Sequence, residues 1–118
     1  MKKILVVDDD PDILTLVKMV LSRNNFIVEA ITKWEIIDDS IRNFKPDIIL
    51  LDVALVGADG RELCKKIKTA SATKHIPVIL FSANADMRQS LEESMAQDFI
   101  AKPFDIAHLV ETLRSNLN

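Results

Sequence analysis

Asp8-Asp9-Asp10, Asp52, Ser82 and Lys102 are the residues of this sequence whose types and spacing could do chemistry. Each follows a short apolar run: Ile4-Leu5-Val6-Val7, Ile48-Ile49-Leu50-Leu51, Val78-Ile79-Leu80-Phe81 and Phe99-Ile100-Ala101 respectively. Near-continuous Ile, Val and Leu between polar segments suit strands buried on both faces of a parallel sheet. In such a sheet the C-terminal strand ends open on one edge, where ligands bind. The polar residues would then gather in one cleft. Carboxylates crowded there repel one another and need positive charge. Mg²⁺ suits them, being a hard ion that prefers oxygen ligands and keeps several waters. Asp9 and Asp52 would bind it directly, Asp8 through water, and a backbone carbonyl just after Asp52 would complete the set. With the acids screened, one carboxylate can attack phosphorus to give an aspartyl phosphate. Lys102 would supply a point charge, Ser82 a hydrogen bond, and backbone N–H groups after Asp52 further donors to the phosphoryl oxygens.

Helical segments fill the gaps between these runs. Asp10-Pro11 reads as a cap followed by proline in the first turn, before Ile13, Leu16, Val17, Val20 and Leu21 at helical spacing. Phe26 to Ile31 reads as a second strand. Thr32-Lys33-Trp34-Glu35 has capping-box spacing, and Ile37, Ile41 and Phe44 give the helix that follows an apolar face, ended by Lys45-Pro46. Asp59-Gly60 opens a third helix with Leu63, Cys64 and Ile67 inward. Met87, Leu91 and Met95 fall on one side of a fourth, and Asp105 caps a fifth carrying Ile106, Leu109, Val110, Leu113 and Leu117. Five βα units in regular alternation predict an α/β fold, a doubly wound (βα)5 sandwich with helices on both faces of a parallel sheet. The flavodoxin-like strand order 2-1-3-4-5 puts the switch point between the first and third strands, whose ends carry Asp8-Asp9 and Asp52.

With 118 residues the chain is long enough for one core, so residues 1–118 are expected to form one domain. A net charge of −3 argues against nucleic acid as a direct partner, since phosphate backbones need clustered Lys and Arg. No apolar stretch approaches a membrane span, and Met1-Lys2-Lys3 leads straight into a strand without a cleavage site, which predicts no membrane association and no signal peptide. The lone Cys64 fits a reducing cytoplasm and reads as a small apolar side chain. Asp10 and Asp12 read as a helix cap and a first-turn charge. His75 and His108 have no partner at useful spacing, and Trp34 reads as a surface anchor.

These residues resemble the receiver domain of two-component response regulators, across the chain from Lys2 to the last helix. The resemblance implies that Asp8 and Asp9 bind Mg²⁺ and that Asp52 accepts phosphoryl from a sensor histidine kinase or phosphotransfer protein. It likewise matches Ser82 and Lys102-Pro103 to the remaining catalytic positions, and Asp59-Gly60 to the loop into the third helix. Three positions depart from the family pattern. The loop after Asp52 reads Val53-Ala54-Leu55-Val56-Gly57-Ala58 without the frequent Met-Pro pair, which implies a more mobile loop, although Ala54 can still offer its backbone carbonyl to Mg²⁺. Met95-Ala96 stands where Gly-Ala is common, implying a differently built turn. Phe99 holds the aromatic switch position, where Tyr is frequent.

The resemblance implies a phosphorylation switch in which Ser82 moves towards the phosphate, Phe99 fills the vacated space, and the surface of the fourth helix, fifth strand and fifth helix changes for a downstream protein target. A monomer or a phosphorylation-dependent dimer is expected, with no turnover of an external substrate. If these residues are the whole protein, output passes through another protein. Ala54 and Asn84, which lie two residues past Asp52 and Ser82, imply slow self-dephosphorylation, because alanine cannot hold a hydrolytic water with its side chain. A haloacid-dehalogenase-like phosphatase is the rival from another class, but it needs further acids after the lysine, and here only Asp105 and Glu111 follow. A degenerate receiver acting only as a docking module conflicts with the intact acidic set. A nucleotide-binding enzyme lacks its Gly-rich phosphate loop.

Overall fold

The computed structural model describes residues 1–83 and 88–117, with the backbone alone for 88–90. Asn84 and Met87 lie outside the described residues. Five parallel strands form one sheet: β1 (Lys3–Val7), β2 (Ile27–Ile31), β3 (Ile48–Asp52), β4 (Val78–Ser82) and β5 (Asp98–Ala101), in the order β2-β1-β3-β4-β5. The helices are α1 (Pro11–Arg23), α2 (Ile37–Phe44), α3 (Gly60–Thr69), α4 (Arg88–Ser94) and α5 (Ile106–Ser115). This is the expected flavodoxin-like arrangement.

Alternate residues of the central strands feed opposite faces, because side chains along a strand point up and down in turn. Ile4, Val6, Ile48, Leu50, Ile79 and Phe81 pack with α1 and α5, while Leu5, Val7, Ile49, Leu51, Val78 and Leu80 pack with α2 and α3. The sheet is thereby covered on both sides, and the polar residues that end β1, β3 and β4 come out at its C-terminal edge. Among the described residues no helix is long and apolar enough to cross a membrane.

Caps set the helix starts. Asp10, Asp59 and Asp105 each accept a hydrogen bond from the N–H two residues on, as the sequence predicts. Cys64 is fully buried, and burial pushes its thiol up to about 11. Elsewhere the details differ. On α1 the buried stripe is Leu14, Val17 and Leu21, whereas Leu16 lies on the outer side at 42% exposure. The capping box at Thr32 does not form: Lys33 takes the cap position without a side-chain bond, a 3-10 turn spans Trp34–Ile36, and the α-helix begins only at Ile37. That turn winds tighter because its first bond runs from the Ile36 N–H to the Lys33 carbonyl, three residues back. Met95 does not belong to α4. It follows the last helical residue with a left-handed φ of 66°, where the Ser94 hydroxyl accepts from the Ala96 N–H.

The segment after β3 departs most from expectation. In place of an unbraced loop, Ala54–Leu55 pairs antiparallel with Ala58–Asp59, a two-residue ladder closed at Val56-Gly57 with Gly57 at φ 81°.

Candidate functional site

Strand register brings the site together. Val7 lies opposite Leu51, so the next residues, Asp8 and Asp52, come out side by side. Asp52 lies opposite Phe81 and Ser82 opposite Ala101. The Lys102 N–H then donates to the Ser82 carbonyl at 2.7 Å, which seats Lys102 across the sheet edge from the acids. Its Nζ stands 2.8 Å from Asp8 Oδ2, 3.5 Å from Asp52 Oδ1 and 4.4 Å from the centre of the Phe81 ring. The Lys102-Pro103 peptide is cis.

Asp8, Asp52 and Ser82 are buried, at 1%, 5% and 5% exposure. That burial is tolerable because each acid has donors. Asp8 Oδ1 accepts from the Asp10 N–H at 2.9 Å, and Asp52 Oδ1 from the Ala54 N–H at 3.3 Å. One ammonium cannot neutralise two carboxylates. Burial first, then the neighbouring Asp8 charge, push Asp52 up to about 6, against the opposing pull of Lys102 and the Ala54 N–H.

The acidic pair splits. Asp8 turns inward to Lys102, whereas half-buried Asp9 reaches the loop after β3, its Oδ2 accepting from the Val56 N–H at 2.5 Å. Among the described residues no three Asp, Glu, His or Cys side chains converge into a ready-made metal cage. The donor set nonetheless fits Mg²⁺, which needs only one or two protein carboxylates and fills its octahedron with water. Two buried acids held against a single lysine leave a negative charge uncompensated, and Asp9 adds another at the same edge. Ala54 sits in the hairpin two residues past Asp52, exposed at its side chain. Phe99 lies half-buried on β5 opposite Leu80. His75 and His108 are exposed.

Two contributors have roles at the site that the sequence did not assign to them. Gly60, at the first turn of α3, lies so close to β3 that a Cβ there would stand 2.0 Å from the Asp52 carbonyl oxygen, and its N–H donates to the Val53 carbonyl at 2.8 Å. A glycine directly after a capping Asp, where helix propensity disfavours it, was the available signal. The other is Trp34, whose indole N–H donates to the Val56 carbonyl at 3.0 Å. Nothing in the local pattern links positions 34 and 56.

The family model described as response regulator receiver domain matches residues 4–114. The chain belongs to that family. The transcriptional regulatory protein CseB of Streptomyces coelicolor is 40% identical over 116 residues, which cover 97% of this chain and 48% of CseB. The receiver domain thus spans about half the length of the curated relatives it matches first. A putative response regulator from Chloroflexus aurantiacus superposes with a TM-score of 0.90 at 30% identity, covering 97% of this chain and 95% of that one. The BeF3-activated N-terminal receiver domain of Klebsiella pneumoniae RstA does so with a TM-score of 0.87 at 32% identity, covering 99% of each. These likenesses extend over the five strands and the edge that carries the acids, so the fold and the family membership rest on the whole chain.

Proposed function

We propose that Asp52 of this receiver domain is the phosphoacceptor, drawing its phosphoryl group from a sensor histidine kinase or a phosphotransfer protein. The observation that carries this is the buried Asp8–Lys102–Asp52 cluster at the C-terminal sheet edge, in which Lys102 contacts both acids. Asp52 Oδ1 is engaged by Lys102 and the Ala54 N–H, which leaves Oδ2 to attack phosphorus while the bond from phosphorus to the donor breaks. Lys102 Nζ and the Ala54 N–H then hold the phosphoryl oxygens, with the Ser82 hydroxyl as a further donor.

Asp9, Asp52 and the Ala54 carbonyl would hold Mg²⁺, and Asp8 would act through water, since both its oxygens are already occupied by Lys102 and the Asp10 N–H. When bound, the ion screens the acids and offsets charge on the transferring group. Phosphorylation draws Ser82 inward and Phe99 into the space it leaves, remodelling the α4–β5–α5 face for a downstream protein target. The chain acts in the cytoplasm, as a monomer or a phosphorylation-dependent dimer, and turns over no external substrate.

Incubation with acetyl phosphate and Mg²⁺ tests the reading by intact mass. Wild type is expected to take one phosphoryl group and Asp52→Asn none. Lys102→Ala is expected to be labelled at least tenfold more slowly, by loss of a buried charge-assisted contact. Labelling of Asp52→Asn at the wild-type rate would overturn the assignment. Repeated turnover of p-nitrophenyl phosphate would point to a phosphatase instead.

A further inference from the structure

Val56, at the tip of the hairpin, is 80% exposed, yet both its N–H and its carbonyl are held. Its N–H donates to Asp9 Oδ2 at 2.5 Å, and its carbonyl accepts from the Trp34 indole N–H at 3.0 Å. The next residue, Gly57, has a φ of 81° and lies against the same indole, where a Cβ at 57 would come within 3.7 Å of Nε1. An exposed apolar side chain gives a loop tip no packing to hold it, so these polar contacts fix where the tip sits. The same tip fixes two groups of the acceptor site: the Asp9 carboxylate, and through the ladder Ala54, whose N–H reaches Asp52 Oδ1.

We propose that Trp34 is a positioning residue for the acceptor site, acting through Val56 to set the Asp9 carboxylate and the Ala54 peptide where Mg²⁺ is bound. The role rests on the reading of Asp52 as a Mg²⁺-assisted phosphoacceptor. It does for this chain what a proline in the loop would do by restricting φ. It also explains the tight turn at the start of the α2 segment, which presents the indole N–H to a carbonyl 22 residues away in sequence. Trp34 touches no reacting atom, so the loss of its N–H should weaken ion binding rather than abolish chemistry.

Trp34→Phe keeps an aromatic ring and removes only the donor. The experiment measures the rate of acetyl phosphate labelling against Mg²⁺ concentration, with a thermal melt of each protein. In parallel, the Trp34 indole N–H resonance of wild type is followed by NMR as Mg²⁺ is added. The signal is unambiguous because the chain has one tryptophan. The expected result is a half-saturating Mg²⁺ concentration raised about 3- to 10-fold in Trp34→Phe, the size of one neutral hydrogen bond. The limiting rate at saturating Mg²⁺ should stay within about threefold of wild type, the melting temperature should be nearly unchanged, and the wild-type indole resonance should shift with Mg²⁺. An unchanged Mg²⁺ dependence in Trp34→Phe, with wild type labelled normally, would overturn this role alone. A wild type that takes no label would overturn the acceptor reading and this role with it.

Discussion

Burial and the Asp8 carboxylate raise Asp52 from 3.8 to about 6, while Lys102 and the Ala54 N–H pull the other way. Between those values the folded chain keeps a proton that the unfolded chain has released, so stability falls as pH rises through the window. Below about pH 4 both states are protonated and nothing is lost; above about pH 6 the full penalty applies, on the order of 1–3 kcal/mol. Asp52→Asn should therefore be more stable than wild type by that amount at neutral pH and no more stable near pH 4 when Mg²⁺ is withheld. Addition of Mg²⁺ should narrow the neutral-pH gap, because an ion that favours the carboxylate removes the penalty. Urea melts of both proteins at the two pH values check this; a gap independent of pH would show that Asp52 ionises freely. Ala54 sets a second residue-scale expectation. Its methyl group cannot position an attacking water, so the aspartyl phosphate should persist for minutes or longer in Mg²⁺, and Ala54→Asn should shorten its lifetime. Decay within seconds, followed by loss of the phosphorylated mass, would refute this.

At the level of elements, the site depends on how closely α3 starts beside β3. Gly60 has no room for a side chain, since a Cβ would meet the Asp52 carbonyl oxygen at 2.0 Å and the Val53 Cα at 2.8 Å. Backbone cannot move aside as a flexible side chain can. Gly60→Ala should thus cost about 2–4 kcal/mol of stability and slow labelling of Asp52 together, because the shift falls on the peptide of Asp52 itself. A melting temperature equal to wild type would show that α3 can slide away. The strands and their polar ends were legible in the sequence for a physical reason. One apolar run ended by a polar residue says little, but four of them ending in Asp, Asp, Ser and Lys in a parallel sheet place Asp8, Asp52, Ser82 and Lys102 at one edge. Caps at Asp10, Asp59 and Asp105 were legible because they are local. The hairpin at 54–59 was not, since Ala-Leu-Val-Gly-Ala-Asp carries little strand signal and its ladder is braced by Asp9 and Trp34 from distant segments. The failed capping box at Thr32 has a similar origin: Trp34 takes a long-range partner, and the turn around it is 3-10 rather than α.

Taken as a whole molecule, the sheet couples two apolar layers. Neighbouring residues of one strand belong to opposite layers, as Leu50 faces α1 and α5 while Leu51 faces α2 and α3. A loss of packing on one side therefore loosens strands that the other side needs. Leu109, fully buried on α5, lies in the first layer, whereas Trp34 packs at the margin of the second. Leu109→Ala removes buried methyl groups and should cost about 2–4 kcal/mol, lowering the melting temperature by roughly 10 °C for a chain of this size. Trp34 fluorescence and far-UV circular dichroism should move down together by the same amount, because the sheet transmits the loss across its full thickness. Mg²⁺ with a beryllofluoride mimic should raise both midpoints again, since ligands that bind only the folded site stabilise the layers on either side of it. If the Trp34 transition stayed at its wild-type midpoint while circular dichroism shifted, the layers would be melting separately. The C-terminal sheet edge, built from strands that belong to both, could not then act as one rigid site.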